Sequence, residues 1–146
     1  MIDRKFIGHE FKSSEKKITR WQISQFANAI GDNNPLYYDV ELAKKQGYRD
    51  LPVPPTFYTT MSYSDLTFFE FLGIDVRKLL AGSRQFKYYN QSCAGDTIIY
   101  TTKVENIIEK QGSKGKMDVL TAITTGKNKE TNQFIFDHIN SLIVFH

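Results

Sequence analysis

The sequence of 146 residues lacks the residue patterns of several common kinds of functional site. It has one cysteine, Cys93, so no disulfide can form within the chain. Its three histidines, His9, His138 and His146, are not spaced like metal ligands and form no cluster with cysteine or carboxylate residues that would suggest a metal site. It has no glycine-rich phosphate loop and no serine–histidine nucleophile pattern. We therefore expect no metal and no bound cofactor, and we interpret His138 as a structural residue.

Long apolar runs and strong charge are also missing. No stretch is apolar enough for long enough to span a membrane, and residues 1–10 mix charged and apolar side chains where a signal peptide would be apolar. With one cysteine, this predicts a cytoplasmic protein without a membrane partner. The net charge is only +3, and the lysines are scattered, mostly in predicted turns. Solvated turns explain them better than a nucleic-acid surface does, although a weak positive bias favours acidic or phosphorylated ligands.

What the chain does contain is typical of one globular domain. Hydrophobic residues make up 40% and aromatic residues 14%, with eleven Phe and eight Tyr. That length and composition can bury a core. We see no repeat, low-complexity tract or linker, and predict a single domain over residues 1–146.

The first half predicts helices. Thr19 and Gln22 form a capping box, with Ile18 and Ile23 in the staple positions. The apolar face that follows consists of Ile23, Phe26, Ala27 and Ile30, and Gly31 ends the helix. Asp39 is suited to cap a second short helix over residues 40–46.

A proline-rich stretch precedes a third predicted helix. Residues 51–55 contain three prolines and cannot be regular structure. Thr56 is suited to be the N-cap of a helix that runs to about residue 72, with a possible break near Ser64. Because this helix is apolar on most sides, we expect it to be buried.

The rest of the chain alternates with a period of two, apart from polar turns. After a lead-in strand within residues 6–17, strands are expected from residue 81 onward, over 97–105, from 117 to 125 and over 134–145. Hairpin tips are expected at 110–116 and 126–133. Helices followed by hairpin-connected strands predict an α+β fold, an antiparallel sheet wrapped around the buried helix.

Five motifs are distributed over nearly the whole chain. One is Gly31-Asp32-Asn33-Asn34-Pro35-Leu36-Tyr37-Tyr38-Asp39. The others are the capped helix, Gly47-Tyr48, Pro54-Pro55-Thr56-Phe57 and the segment from Gln85-Phe86 to Gly95-Asp96-Thr97. In this order they resemble MaoC-like dehydratases and (R)-specific enoyl hydratases, which have the hotdog fold and the signature Gly-Asp-x-Asn-Pro-(Ile/Leu)-His-x-Asp.

The resemblance implies reversible hydration of a trans-2-enoyl thioester, on CoA or acyl carrier protein, in fatty-acyl metabolism. In the family an Asp and a His hold the attacking water, and backbone N–H groups at the start of the buried helix bind the thioester oxygen. By position, Asp32 and Tyr37 become the candidate catalytic residues. The candidate substrate-binding residues are Asn34, Pro55, Thr56 and Phe57.

Tyr37 is the one consequential departure from the family pattern. A histidine titrates near pKa ~6.5 and a tyrosine near ~10, so Tyr37 is a poor base at neutral pH. The chain is similar to the His-lacking subunit of heterodimeric hydroxyacyl-thioester dehydratases. That resemblance implies a homodimer, or a heterodimer with a second hotdog subunit.

Other interpretations of the same residues stay open. The chain could be a non-catalytic subunit that binds the acyl thioester and stabilises a catalytic partner. It could also hydrolyse acyl thioesters, as some hotdog proteins do, although thioesterases lack the Asp-x-Asn-Pro loop. Asp32 fits a simple turn residue, and Tyr37 and Tyr38 fit wall or core aromatics.

Overall fold

A five-stranded antiparallel sheet forms the body of the protein. The computed structural model describes residues 1–61, 67–113 and 115–146. The strands are β1 Ser14–Lys17, β2 Leu79–Tyr88, β3 Thr97–Gly112, β4 Gly115–Asn128 and β5 Phe134–Phe145. They lie in the order β1-β3-β4-β5-β2, and each neighbouring pair is antiparallel. The predicted antiparallel sheet is therefore confirmed.

The boundaries of the strands differ from expectation in several places, and β4 continues to Asn128, through the first part of the turn predicted over 126–133. The hairpin between β3 and β4 is tighter than predicted, because Lys110 and Gln111 still pair with residues of β4. The lead-in segment is extended only at its end. It contains a 3-10 turn at Arg4–Phe6 and one isolated bridge at Glu10 before β1 begins.

The two predicted short helices are confirmed. Helix α1 is Arg20–Ala29, and both hydrogen bonds of the Thr19–Gln22 capping box form. At its end Gly31 adopts φ +72°, a left-handed conformation that glycine adopts without steric cost. Its N–H donates to Asn28 O and that of Asp32 to Ala27 O, the two bonds of a Schellman motif. Helix α2 is Val40–Lys45, capped by Asp39.

The predicted third helix is described as two segments. A 3-10 helix, Pro55–Met61, comes first and is called here the proline-led helix. Helix α3 is Thr67–Phe71. Thr56 is the second residue of the proline-led helix rather than an N-cap, because the helix already begins at Pro55. The possible break at Ser64 lies outside the described residues.

Only one face of these helical segments is buried. Phe57, Tyr58 and Met61 are at most 2% exposed and Phe68 is 3% exposed, whereas Phe71 is 48% exposed. Among the described residues, the predicted burial of this helix therefore holds for one face and not for the face that carries Phe71. The buried face packs on the sheet, and the core divides into two apolar clusters. One cluster surrounds the proline-led helix and α1, and the other surrounds α3 and the N-terminal segment.

Candidate functional site

The loop over residues 31–39 is shaped by its own polar side chains. Asp32 Oδ1 accepts the Asn34 N–H at 2.9 Å, which closes an Asx turn directly after α1. Asn34 Oδ1 accepts the Leu36 N–H at 3.1 Å and caps the short 3-10 turn Pro35–Tyr37. Both side chains therefore have a local structural role, and Asp32 is half-buried rather than fully exposed.

Asp32 and Tyr37 lie close enough to interact electrostatically. Burial raises the pKa of Tyr37 above the ordinary tyrosine value, and the Asp32 carboxylate and the Tyr48 hydroxyl raise it further. Tyr37 is fixed to α1, because Ser24 Oγ donates to its carbonyl at 2.9 Å. Its ring packs against the apolar cluster that contains Phe57. The phenol therefore stays protonated at neutral pH, where it can donate a hydrogen bond but is a poor base.

Tyr38 closes the same loop from the outside. Its hydroxyl donates to Asp32 O at 2.8 Å, and 42% of its surface is exposed. This hydrogen bond holds the backbone of Asp32 in place and leaves the carboxylate untouched. The structure therefore gives Tyr38 a supporting position beside the candidate pair.

The start of the proline-led helix offers one free backbone donor. Pro55 has no N–H, and the Phe57 N–H donates to Pro54 O at 3.0 Å within the turn. Among the described residues, the Thr56 N–H makes no hydrogen bond. A helix start with a free N–H can stabilise negative charge on an oxygen. Of the backbone donors predicted to bind the thioester, the structure leaves the one on Thr56 available.

A pocket of about 340 Å³ opens beside Pro55. Tyr88 from β2 reaches across it, and its hydroxyl donates to Pro55 O at 3.0 Å. Tyr58 forms another wall, and burial raises its pKa to about 12, so it is neutral in its hydrogen bond with Ser92. The lining is Val53, Pro55, Tyr58, Tyr88, Tyr89, Asn90 and Gln91.

The structure does not bring all predicted site residues to this pocket. Pro55 lines it, but Asp32 and Tyr37 are not among the described residues of its wall. The loop and the pocket touch the same apolar cluster through Tyr37 and Tyr58. The loop and the pocket wall therefore contact the same apolar cluster, and each contains some of the predicted site residues.

Lys16 is a candidate residue that the sequence interpretation missed. It lies on β1 rather than in a turn, and its Nζ donates to Thr60 Oγ1 at 3.0 Å and sits 5.3 Å from the Phe57 ring centroid. Burial lowers its pKa, and no acidic partner faces it among the described residues. One signal was present in the sequence. In an extended segment Lys16 shares a face with Ile18, which is fully buried.

Cys93 is buried within the chain. It is 3% exposed, and burial raises the pKa of its thiol, so the reactive thiolate is disfavoured. Its backbone N–H donates to Asp96 Oδ2 at 3.0 Å. Cys93 is a structural residue of the loop before β3.

Within the described part of the chain, no helix is both long and apolar enough to cross a membrane.

Comparison with known proteins identifies the family to which this chain is similar. The chain matches the family described as "FAS1-like, dehydratase domain region" over residues 5–136. It is 36% identical over 123 residues to a UPF0336 protein of Parafrankia sp. (strain EAN1pec), an alignment that covers 82% of this chain and 79% of that protein.

Solved structures agree with this match. One is the C-terminally truncated HadBC (3R-hydroxyacyl-ACP dehydratase) complex from Mycobacterium tuberculosis, with a TM-score of 0.82 and 21% identity, covering 94% of this chain and 96% of that chain. Another is the (R)-hydratase from A. caviae involved in PHA biosynthesis, with a TM-score of 0.68 and 14% identity, covering 93% and 94%.

At these identities the likeness to solved structures shows the fold, which is the hotdog fold of MaoC-like dehydratases and (R)-hydratases. The chain itself belongs to the FAS1-like dehydratase region family.

Proposed function

We propose that this protein is a subunit of an enoyl-thioester hydratase, or (3R)-hydroxyacyl-thioester dehydratase, that binds the acyl thioester while a hotdog partner supplies the general base. The single observation that carries the proposal is Tyr37. It occupies the histidine position of the family signature, and burial and the Asp32 carboxylate keep its phenol protonated.

The reaction explains why this position matters. In hydration, a base takes a proton from water as the water oxygen bonds to Cβ of the enoyl group, and Cα receives a proton. Negative charge develops on the thioester oxygen meanwhile. This chain offers the Thr56 N–H for that charge, but among its described loop residues it offers no imidazole near Asp32.

Lys16 supports binding of an anionic thioester carrier. Its half-buried ammonium lies beside Phe57 and Thr60 on the proline-led helix. Both CoA and the prosthetic arm of acyl carrier protein carry phosphate, which a cation beside the proline-led helix attracts. The proposed substrate is therefore an acyl-CoA or an acyl carrier protein thioester of fatty-acyl metabolism.

The proposal takes residues 1–146 as one domain that works in a pair. The HadBC structure is a complex of hydroxyacyl-ACP dehydratase chains, which supports a hotdog partner for this one. The incomplete lining of the pocket supports it too, since Asp32 and Tyr37 stand outside the described wall. A cytoplasmic site is favoured by the single, buried cysteine, because one cysteine forms no internal disulfide.

The test is to restore the histidine. Tyr37→His places an imidazole five residues after Asp32, as in the family signature, and we expect it to confer hydration of crotonyl-CoA on the purified chain. Loss of the conjugated-thioester absorbance measures the rate. General-base catalysis contributes about a hundredfold or more, so the gain over the wild-type chain is expected to be of that order.

Two further variants make the test decisive. Tyr37→Phe is the matched control and is expected to stay inactive. The double variant Tyr37→His with Asp32→Asn is expected to lose the gained activity. Substantial turnover by the wild-type chain alone, abolished by Asp32→Asn, would contradict the division of labour and make this chain a hydratase that works without the histidine.

A further inference from the structure

One polar row crosses the inner face of the sheet between the two apolar clusters. It consists of Thr102 on β3, Thr124 on β4 and His138 on β5, which are directly paired in the strand register. All three are at most 6% exposed, and His138 is fully buried. Next to the row, the inner face carries the cluster residues Phe136 on one side and Val104 and Ala122 on the other, together with the buried Asn140, which pairs with Ala122. We call these three residues the polar row.

His138 is the unusual member of this row. Among the described residues, neither Nδ1 nor Nε2 has a hydrogen-bond partner. A neutral imidazole carries one N–H donor and one acceptor nitrogen, so both are left unused. An unsatisfied buried polar group lowers stability, whereas an apolar side chain at the same place carries no such cost.

The rest of the row has spare hydrogen-bonding capacity next to the imidazole. Thr102 and Thr124 bond to each other through their hydroxyls at 2.8 Å, which uses one hydroxyl proton and leaves the other. Thr124 lies directly opposite His138, at the separation where cross-strand side chains interact. An oxygen placed between them would meet both a donor and an acceptor.

Stacked aromatic rings connect this row to the pocket beside Pro55. Tyr88 lines the pocket, and its ring lies parallel to that of Phe86 with centroids 5.9 Å apart. Phe86 in turn stacks on His138 at 4.5 Å and an interplanar angle of 8°. Along a strand, successive residues on one face are roughly 7 Å apart, so the row is one such step inward from the pocket wall.

We propose that the polar row is a binding site for an oxygen-bearing group on the ligand, and that the preferred acyl chain carries a hydroxyl or carbonyl beyond C3, the carbon at which the proposed reaction places a hydroxyl. His138 is the principal partner and Thr124 the second. This inference rests on the proposed function, since it takes the ligand to be an acyl thioester that enters at the pocket. It adds the chemical class of the acyl chain.

The experiment compares matched ligands on the full chain. Octanoyl-CoA and a set of mono-hydroxylated isomers of it, with the hydroxyl at successive carbons from C4 onward, are titrated calorimetrically. We expect one or two isomers to bind wild-type protein about fivefold or more tighter than octanoyl-CoA, since a hydrogen bond formed in a buried site is worth about that factor.

The variants identify the residue responsible. His138→Leu is expected to abolish the preference and to leave affinity for octanoyl-CoA within about twofold. His138→Gln, whose amide keeps a donor and an acceptor, is expected to retain part of the preference and guards against a folding defect in the first variant. His9→Leu removes a histidine whose ring contacts Phe11 and Phe71 rather than the row, and is expected to change nothing.

The outcomes separate this inference from the proposed function. Binding of octanoyl-CoA without preference for any isomer overturns the polar-row site alone. His138 would then be assigned hydrogen bonds to bound water. A preference that survives His138→Leu also overturns it. Failure of every acyl-CoA to bind overturns both the proposed function and the site that depends on it.

Discussion

At the scale of single residues, Tyr37 and Lys16 lie in contrasting electrostatic environments. The environment of Tyr37 keeps a neutral phenol, because both burial and the adjacent Asp32 carboxylate oppose its ionisation. The environment of Lys16 leaves half-buried positive charge without a described acidic partner. The replacement at position 37 could be read from the motif. The burial of Lys16 had only a weak sequence signal, its alternation with Ile18, because a lysine in a short polar segment is usually solvated.

The first residue-scale prediction concerns Lys16. Lys16→Met keeps the length and the apolar stem of the side chain but removes the charge, so we expect weaker binding of octanoyl-CoA by about fivefold with little loss of stability. Calorimetric titration at low salt measures the change. Lys17→Met makes the same charge change on the exposed neighbour. Equal weakening of binding by both variants would show that Lys16 acts only through the net charge of the protein.

The second residue-scale prediction concerns the contribution of His138 to the pH dependence of the protein's stability. Burial lowers the pKa of His138 from 6.5 to about 4, with Arg84 adding to the shift. Because the unfolded chain binds the proton more readily, this group's contribution is fully present above pH 6.5 and is lost as pH falls toward 4. We expect about 2 kcal/mol of stability to disappear from this source between about pH 7 and pH 5.

Urea unfolding of wild type, His138→Leu and His9→Leu at the two pH values measures this loss. The expected result is a smaller acid-induced loss for His138→Leu, and wild-type behaviour for His9→Leu. His138→Leu is also expected to be more stable than wild type at neutral pH, since it removes unsatisfied buried polar atoms. A loss of the same size in all three proteins would assign the acid sensitivity to other groups.

At the scale of elements, the packing of β4 on β5 fixes the wall of the pocket. Gly126 on β4 lies under the ring of Phe136 on β5, and a Cβ at position 126 would overlap that ring. The same ring stacks on Tyr58 at a centroid distance of 4.3 Å. A change at Gly126 therefore reaches the pocket through two ring contacts.

Gly126→Ala is expected to destabilise the protein by about 1–3 kcal/mol, as overpacking of a tight core usually does. Phe136→Leu alone leaves a smaller side chain in the core and is expected to lower stability by itself. In the double variant the new methyl group has room. Its loss of stability is therefore expected to be about 1 kcal/mol smaller than the sum of the two single-variant losses. Denaturant midpoints of the four proteins give this coupling energy, and simple additivity would contradict the ring contact.

The elements also show where sequence patterns are informative. The caps at Thr19 and Asp39 and the turn at Gly31 are local signals, and the structure confirms them. The alternation on β4 is a weaker signal, because it does not say which face is covered. The apolar set from Met117 to Ile123 lies half-exposed outside, whereas Asp118, Leu120 and Thr124 are buried inside. Burial of that face depends on the helical segments packed across it, which no local pattern encodes.

At the scale of the whole molecule, the two sheet edges differ. β1 is four residues long, whereas β2 is ten residues long and most of it is exposed. Within the described chain, β2 pairs on one side only, with β5. A long exposed edge with unpaired backbone groups is a ready surface for another strand. Pairing of two β2 edges would extend the sheet across both subunits and bring a partner beside Tyr88 and the pocket.

We therefore expect the purified chain, without another partner, to form a dimer through β2. Leu80 is 55% exposed on this edge, and Leu80→Glu places a like charge on both sides of the junction, which is expected to shift the protein to monomers without unfolding it. Trp21→Glu changes an equally apolar residue on α1, 70% exposed, and is expected to remain dimeric. Sedimentation velocity at micromolar concentration distinguishes the two states. A dimer that survives Leu80→Glu but dissociates with Trp21→Glu would place the junction on the helical side, and the pocket beside Pro55 would then have to be completed without the partner's strand.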